Sequence, residues 1–598
     1  MALNAEKKYM ILKWFAAAMV LSALFLMALT WYLGVKLKPV VTAELKELVL
    51  KTTDQLYRIE FSDVSVNALT GTSSLKDVRI LPDTAVYRRM IATQHAPNNL
   101  YRIKLKKLVV RNFHPWRLWR HKKLDIDLLL FDRPDIEMRN RQFDFNEDKQ
   151  PRPKKSPYDY ISKYLRVLRI HTIDFKDASF RYINDNNPEN PVVDRVDHLN
   201  VTLKDWLIDA NSAEDKSRIY LLKDVIINLK DYRYPTPDSL YHINFGQIDF
   251  TASTGKLGIK RFSVAPRSGE QSFGSALGYA KDRYNIQIND VDFNGLNLPL
   301  YILKQELYAK EMTIANGAIS VVNNNTLPKK AEDKTGKYPH QLLQQTKGKL
   351  TIEKLALNNI DLSYSEFDQD GKNKGIITFE HTWGTIANVT NVEKAKASNH
   401  LMTADLTSKV MGNGKLNVNF KFDLTARDGA FSYSGSLVNM EGKALNRMTK
   451  PLGLVKVNSG HIDRLQFAIK ANDRVAEGEM SFAYRDLSVA LLKKVEGEDR
   501  LVKKGLMSIL ANALVIHSDN PNAKGEFIKA PIANNRVATA SFFNFIWKTL
   551  FQGVKYSIGL SPQKESEIRS RISAFEKRKA DRQERIKRRA QRAGAKRG

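Results

Sequence analysis

From about residue 60 onward, apolar and polar residues alternate with a period of two, which is the pattern of a β-strand with one apolar and one solvated face. The clearest example is residues 416–424, LNVNFKFDL, where every second residue is apolar. Asp428 and Gly429 then predict a hairpin turn, and residues 430–437 return as the next strand. Long helical patterns are nearly absent between residues 60 and 500. The pattern predicts a mostly β chain with antiparallel strands.

Helical periodicity is confined to the two ends of the chain. Residues 40–59 place apolar positions at helical spacing and predict an amphipathic helix. Residues 541–553 read SFFNFIWKTLFQG, and a helix there would group most of its large apolar side chains on one broad side. That side comprises Phe542, Phe543, Ile546, Trp547 and Leu550, with Phe545 and Phe551 at its margins. The helix either caps the end of the sheet or lies in a membrane interface.

A repeated unit occurs within the alternating segments. Its pattern is ΦxxΦxΦx[DN]xxΦxΦ, where Φ is an apolar residue and x is any residue. It fits residues 170–182, 309–321 and 352–364, and its polar position is Asp177, Asn316 or Asn359. We interpret the polar position as a turn or bulge between two strands. An ordinary β-meander is the alternative source of such a pattern, and the varying separations do not indicate a fixed-period solenoid.

Residues 14–35 form an uncharged segment of 22 residues, WFAAAMVLSALFLMALTWYLGV. As a helix it would be about 33 Å long, which is enough to cross a bilayer core. Trp14, Trp31 and Tyr32 lie near its ends, where interfacial aromatic residues are expected. A cleaved signal peptide would have a shorter apolar stretch, so we expect an uncleaved anchor. Lysines flank both sides, and we favour a signal-anchor that places the bulk of the chain outside the cytoplasm.

Composition and charge narrow the possible partners. The chain has 598 residues, of which 43% are hydrophobic and 27% charged, and this is the composition of a folded protein. The net charge of +30 predicts anionic partners. The absence of Cys excludes disulfides, Cys-ligated metal sites and a thiol nucleophile, and it favours an exported bacterial protein.

The last 37 residues, 562–598, carry 14 basic and 5 acidic residues. They form either a solvated arm or a contact with an anionic surface. The candidates for that contact are Lys577, Arg578, Lys579, Arg585, Lys587, Arg588 and Arg589.

No motif in the sequence indicates catalysis. HExxH, GxSxG and the phosphate-binding GxxxxGK[ST] loop are all absent, and the eleven His residues are scattered. We therefore predict no enzyme activity and no catalytic, cofactor or metal-binding residues. We also predict no nucleic-acid partner, since zinc fingers, RNP motifs and basic zippers are absent.

Two segments near the start of the β region resemble the AsmA-like family of Gram-negative envelope proteins. Residues 64–71, VSVNALTG, and residues 74–80, SLKDVRI, are similar to the family's opening after its membrane anchor. Residues 131–138, FDRPDIEM, resemble one of its strand ends. The motif HPWRLW at 114–119 is most similar to Bacteroidota-type members.

The C-terminal half carries further resemblance. The repeated unit described above is similar to one that recurs in the family. Residues 478–487, residues 518–521 and the Phe-rich segment 542–551 resemble the family's C-terminal module. The resemblance spans most of residues 10–560, and the basic arm after Pro562 has no counterpart in it.

The resemblance implies an elongated, strongly curved antiparallel β-sheet that forms an apolar groove, with an N-terminal transmembrane helix and a C-terminal amphipathic helix. It implies an inner-membrane protein that binds or conducts phospholipid or another acyl lipid, supports outer-membrane biogenesis and contacts envelope assembly proteins. The alternatives are a scaffold for envelope assembly that carries no lipid, and an envelope hydrolase, for which no residue argues. The expected regions are anchor 1–39, helix 40–59, β region 60–322, loop 323–340, β region 341–540, helix 541–560 and basic tail 561–598.

The candidates for lining the groove are apolar residues of the most regular strand patterns. One-sided strands need something against their apolar face, and a lipid acyl chain would supply it where no second layer does. The candidates are Ile173, Phe175, Leu355, Leu357, Val418, Phe420 and Phe422. The alternative for each of them is an ordinary core position.

Overall fold

The computed structural model describes most of the chain from residue 42 to residue 585. Within that range it does not describe 44, 48, 68–69, 114–119, 147–156, 164, 187–191, 213, 220, 325, 329, 331, 369–372, 454, 495–500, 504–515, 562, 565, 568–569, 571–580 and 582–583. The predicted anchor with Trp14, Trp31 and Tyr32 lies outside the described residues. Among the helices that are described, none is long and apolar enough to cross a membrane.

The described part of the chain is mostly β and contains 22 strands. They are β1 (Tyr57–Glu60), β2 (Asp63–Asn67), β3 (Thr72–Pro82), β4 (Asn99–Arg111), β5 (Lys123–Asp132), β6 (Asp135–Asn140), β7 (Val167–Asn184), β8 (Val192–Ile208), β9 (Asp224–Pro235), β10 (Tyr241–Thr251), β11 (Lys256–Pro266), β12 (Arg283–Asn294), β13 (Glu306–Asn324), β14 (Lys349–Phe367), β15 (Lys374–Thr390), β16 (Leu401–Val410), β17 (Gly414–Asp423), β18 (Phe431–Glu441), β19 (Val455–Ala471), β20 (Val475–Lys494), β21 (Leu501–Lys503) and β22 (Lys529–Asn535). They belong to one large mixed sheet, in which the short β21 pairs with β20.

Seven named α-helices accompany the sheet in the described residues. They are α1 (Thr84–Ala92), α2 (Pro157–Ile161), α3 (Leu298–Lys304), α4 (Pro339–Gln345), α5 (Glu393–Ser398), α6 (Asn446–Gly453) and α7 (Phe542–Ser557). Short 3-10 helices lie at Asp144–Asn146, Ser275–Leu277 and Gly442–Leu445. The chain divides into two compact units, the first made of 1–234 with 244–260 and the second of 235–243 with 261–598.

The chain is mostly β as predicted, but its sheet is mixed rather than antiparallel throughout, because each unit contains a parallel pairing. In the first unit β5 and β6 run parallel to β7, and in the second unit β13 runs parallel to β14. Parallel neighbours require a long crossover connection. Residues 141–166 and 325–348 provide these connections, and the second of them contains most of the predicted loop 323–340. That loop begins later than predicted, since β13 continues to Asn324.

The three copies of the repeated unit lie in β7, β13 and β14. Each copy is one long strand rather than two strands joined by a turn. Its polar residue has a positive φ within the strand, 49° at Asp177, 55° at Asn316 and 57° at Asn359. Asn and Asp tolerate this left-handed conformation better than most residues. The polar position of the repeated unit is therefore a bulge within one strand and not a turn between two strands.

The helices at the two ends differ from their predicted bounds. Residues 42–52 are helical where the structure describes them, but the predicted helix 40–59 extends too far because Tyr57–Glu60 is strand β1. Tyr57 pairs with Pro82 of β3, and this pairing with the sheet overrides the local helical pattern. At the other end α7 agrees with the predicted helix. The side chain of Ser541 accepts a hydrogen bond from the amide of Asn544 and caps its first turn.

Buried apolar residues gather in two clusters of the described chain. The larger cluster lies in the second unit, between β16–β20, β22 and helix α7. The smaller cluster lies in the first unit among β1–β4, where Val78 is 1% exposed. The predicted hairpin is confirmed within the larger cluster, since β17 and β18 pair antiparallel from Lys415 to Phe422.

Candidate functional site

Strands β12–β15 carry rows of apolar side chains that match in register. Met312 of β13 pairs with Phe293 of β12 and with Leu355 of β14. Residues that pair directly across neighbouring strands point to the same face of a sheet. The rows are Phe293, Met312, Leu355 and Ile386; Val291, Ile314, Leu357 and Gly384; Ile286, Ile319, Leu362 and Phe379; and Tyr284, Val321, Tyr364 and Ile377. One face of these strands is therefore continuously apolar.

The parallel pairing of β13 with β14 aligns the two copies of the repeat residue for residue. Ala309 pairs with Ile352, Ile314 with Leu357 and Val321 with Tyr364. The shift between the two strands stays constant through the bulge, so both strands bulge at the same place. An extra residue in a strand would move all following side chains to the other face unless its neighbours shifted too. Matched bulges keep the apolar residues before and after them on one face.

A ladder of polar side chains marks the bulges on the opposite, solvated side. Asn316 Nδ2 donates to Asp290 Oδ2 at 3.3 Å, and Asn359 Nδ2 donates to Asn316 Oδ1 at 3.1 Å. His381 of β15 continues the ladder, with its Nδ1 2.8 Å from Asn359 Oδ1. His381 also has a positive φ of 49°. The ladder connects four strands and holds their bulges in line.

The apolar face of β12–β14 is only partly shielded. Most side chains in its rows are half-buried, and Tyr284 at its edge is 43% exposed. Val291 is the buried exception among them, and Ile288 and Ile360 are buried in the row at the bulges. A Cβ on Gly317, between them in register, would lie 2.5 Å from Ile288 Cδ1, so Gly317 makes room for that side chain. Neither of the two buried clusters of the described residues centres on these strands.

Ile173 and Phe175 occupy equivalent rows in the first unit. Phe175 pairs with Phe131 and Val201, and its ring stacks on Phe131 with the centroids 4.5 Å apart. The two rows are Leu108, Phe131, Phe175, Val201 and Ile227; and Val110, Leu129, Ile173, Leu203 and Val225. Ile173 is 8% exposed and the remaining nine side chains are half-buried. Four of the seven candidates, Ile173, Phe175, Leu355 and Leu357, therefore lie in apolar rows that cross several strands.

The other three candidates, Val418, Phe420 and Phe422, lie under helix α7. Phe422 is 6% exposed, and its ring centroid is 6.2 Å from that of Phe542 on α7. Phe420 is 6.4 Å from the same ring, and Val418 packs at the border of the same cluster. These residues belong to a filled protein core.

Helix α4 and the end of β22 close the filled core at one side. His340 of α4 is fully buried against Phe422 and Phe431, with ring centroids 5.0 and 6.1 Å away. Burial lowers the pKa of His340. Arg536 forms a buried ion pair with Asp473 at 2.7 Å, and its guanidinium lies over the ring of Tyr338, 4.3 Å from the centroid. Periodicity does not predict α4, because a seven-residue helix is too short to show a period, although Pro339 at its first position is a signal for a helix start.

Helix α7 packs on a side that matches the predicted one only in part. Phe542, Ile546 and Leu550 of the predicted side pack against the buried cluster. The fully buried positions are Phe545, Thr549, Gly553 and Ser557, each four residues from the next. Phe545 is 2% exposed although the prediction places it at a margin, whereas Phe543 is 69% exposed although the prediction places it on the packed side. Aromatic residues surround most of the first two turns, so the apolar pattern alone could not identify the packed side.

The opposite face of the filled region carries a polar depression of about 720 Å³. Two rows of mostly polar side chains form its floor. They are Asp405, Asn419, Ser434, Ala468 and Glu479; and Thr407, Asn417, Ser436, Gln466 and Ser481. Its composition does not suit an acyl chain, so the apolar rows on the other face are the better candidate for binding one.

The predicted anionic-surface residues are mostly beyond the described chain. Arg585 is described and exposed. Lys577, Arg578, Lys579, Lys587, Arg588 and Arg589 lie outside the described residues.

Comparison with known proteins does not assign the chain to a family. No family model matches it, and no curated protein matches it.

Proposed function

We propose that this chain binds the acyl chains of phospholipid on the half-buried apolar faces of β12–β14 and of β4–β8, and that it carries lipid without covalent chemistry. The observation that carries the proposal is the set of register-matched apolar rows, whose side chains in β12–β14 are mostly half-buried and lie outside both buried clusters of the described residues. An apolar face of this extent is costly in water, at about 25 cal/mol per Å². A bound acyl chain would remove that cost.

The resemblance to the AsmA-like family supports the finer parts of the proposal. These are a strongly curved, elongated groove, an inner-membrane anchor at residues 14–35, a periplasmic location and a role in outer-membrane biogenesis. The net charge of +30 also suits anionic headgroups or an anionic leaflet. Envelope assembly proteins are the proposed protein partners.

The test uses a photo-cross-linking amino acid at two adjacent positions of β14. Leu355 belongs to the apolar rows, whereas Lys354 forms an ion pair with Glu311 at 2.9 Å and is exposed on the other face. The full chain with a benzophenone side chain at either position is irradiated in bacterial cells. Mass spectrometry then identifies lipid adducts. We expect phospholipid adducts at position 355 and few at position 354, because adjacent residues of a strand face opposite ways.

Equal labelling at the two positions, or no phospholipid adduct at 355 in a folded protein, would contradict the proposal. Positions 420 and 422 are unsuitable for this test, because substitutions there would disrupt the filled core beneath α7. The same experiment at Phe175 of β7, with Lys176 as its exposed neighbour, examines the first unit independently.

The filled core favours a second candidate function, a scaffold for envelope assembly without lipid transport. Twenty-one buried residues pack together there, and α7 covers them as a second layer would. A scaffold with no lipid cargo would give no adduct at position 355 or 175. Cross-links from those positions to envelope proteins would then support the scaffold.

A further inference from the structure

We propose that the outer side of helix α7 is a docking surface for an anionic lipid bilayer. This surface, here called the outer stripe, consists of Phe543, Trp547 and Phe551. The inference rests on this helix and the charges that accompany it, and it does not require lipid on the faces of β12–β14 or β4–β8.

The outer stripe is a line of aromatic residues along one side of the helix. Its members are four residues apart, so they lie on neighbouring turns of the same side. Phe543 is 69% and Phe551 is 41% exposed, and Trp547 is half-buried. The rings of Trp547 and Phe551 stack with their centroids 5.8 Å apart. Single exposed apolar residues are common on protein surfaces, but three in a line on one helix indicate a binding surface.

The packing of α7 prevents this stripe from turning into the core. Phe545, Thr549, Gly553 and Ser557 are buried on the other side, and a Cβ on Gly553 would lie 2.8 Å from the sulfur of Met480. Thr549 Oγ1 also accepts a hydrogen bond at 2.9 Å from Asn534 Nδ2 of β22. The helix is therefore held at a fixed rotation that presents the outer stripe outward.

The charges beside the stripe favour an anionic membrane over a protein partner. Lys548 is exposed, and the ammonium of Lys555 lies 5.6 Å from the centre of the Phe551 ring. Residues 542–557 contain no Asp or Glu, and the following residues 562–598 carry a net charge of +9. Aromatic residues with flanking lysines and no acidic residue are typical of helices that lie in the interface of an anionic bilayer.

The test exploits the absence of cysteine in the chain, so that one introduced Cys takes one label. An environment-sensitive fluorophore is attached at Phe543→Cys in one full-chain sample and at Leu303→Cys in another. Leu303 on α3 is 80% exposed and serves as the matched control for an exposed apolar position. The protein is studied in phosphatidylglycerol nanodiscs, and separately in phosphatidylcholine nanodiscs with added phosphatidylglycerol vesicles. In each arm the phosphatidylglycerol carries a doxyl quencher.

We expect the label at position 543 to be quenched about threefold more than the label at 303 in at least one arm. Trp547→Ser with Phe551→Ser should abolish the difference, and Lys548→Glu with Lys555→Glu should weaken it. Equal quenching at 543 and 303, or no quenching at 543 in either arm while the circular dichroism spectrum is unchanged, would overturn the proposal. Lipid adducts at Leu355 are independent of this outcome, so failure here and failure of the proposed function are distinguishable.

Discussion

Two regions of the second unit have the same strand pattern but differ in how far their apolar face is covered. The uncovered region is β12–β14, and the filled region is β16–β20 with β22 and α7. Both alternate apolar and polar residues along their strands, and both align their apolar residues in rows. In the filled region α7 covers the rows and buries side chains such as Phe422 and Met480. In the uncovered region most of the equivalent side chains remain half-buried.

The first unit repeats the contrast on a smaller scale. Val78 and Leu105 are buried at 1% and 5% exposure within the cluster of β1–β4. Phe175 in β7 and Val201 in β8, by contrast, are half-buried. Alternation therefore determines that a segment is a strand and which of its faces is apolar. It does not determine whether protein or another molecule covers that face.

The largest expected effect is a loss of stability when a side chain is truncated in the filled region, compared with the same kind of truncation in the uncovered region. Phe545→Ala removes the most buried aromatic ring of α7 and should lower the free energy of unfolding of the filled region by about 3–5 kcal/mol. Leu357→Ala in the uncovered region removes a half-buried side chain and should cost only about 1–2 kcal/mol. Hydrogen exchange of the β17–β19 and β13–β14 amides measures the two effects separately. Similar losses at both positions would show that Leu357 belongs to a closed core.

Much of this contrast was beyond what the sequence alone could predict. The hairpin of β17 and β18, helix α7 and the polar position of the repeat follow from local patterns. The parallel pairing of β13 with β14 does not, because strand order depends on contacts 43 residues apart, such as Ala309 with Ile352. The distinction between a turn and a bulge at Asn359 was also inaccessible, since Asn suits a positive φ in either.

The seven candidates for lining the groove show that a strand pattern does not reveal which apolar residues are covered. Phe175, Leu355 and Leu357 are half-buried and Ile173 is 8% exposed, all outside the larger buried cluster, whereas Phe422 is enclosed by α7 and α4. The pattern LNVNFKFDL is more regular than that of β14, yet it belongs to the filled region. The helix that covers it lies more than a hundred residues later in the chain, so regularity of alternation carried no information about cover.

Acid should destabilise the filled region more than the uncovered one, through His340. Burial holds the pKa of this imidazole below its ordinary value of 6.5, so the folded state favours the neutral ring. Below that ordinary value the unfolded chain takes up a proton that the folded chain resists, and stability falls as the pH decreases further. The natural protein should therefore lose more stability than His340→Phe between about pH 7.5 and pH 5.5. Thermal unfolding of the two proteins across this pH range measures the difference. An identical pH dependence in both proteins would exclude this role.

Substitution of the bulge asparagine should have a smaller effect, confined to the uncovered region. Asn359→Ala removes the hydrogen bond to Asn316 and places a residue with a Cβ but no polar group at a φ of 57°, at a cost of about 1–2 kcal/mol. Asn359→Gly is the matched control, because it removes the same hydrogen bond but accepts the positive φ. Exchange of the β13–β15 amides should be faster in the Ala variant than in the Gly variant. Equal exchange in the two variants would mean that loss of the side-chain ladder, and not backbone strain, dominates.

The smallest effect on stability is expected at the outer stripe of α7. Comparing it with the effect of the same substitution on the buried side distinguishes the two sides of the helix. Phe543→Ser removes a ring that is 69% exposed, so the free energy of unfolding should change by less than about 0.5 kcal/mol. Phe545→Ser, two residues away, should instead be severely destabilising, because it places a hydroxyl in the filled core. Denaturant unfolding of both variants measures the difference. A large loss for Phe543→Ser would mean that this ring already has a protein partner, and the outer stripe would then be part of the fold rather than a surface available to a bilayer.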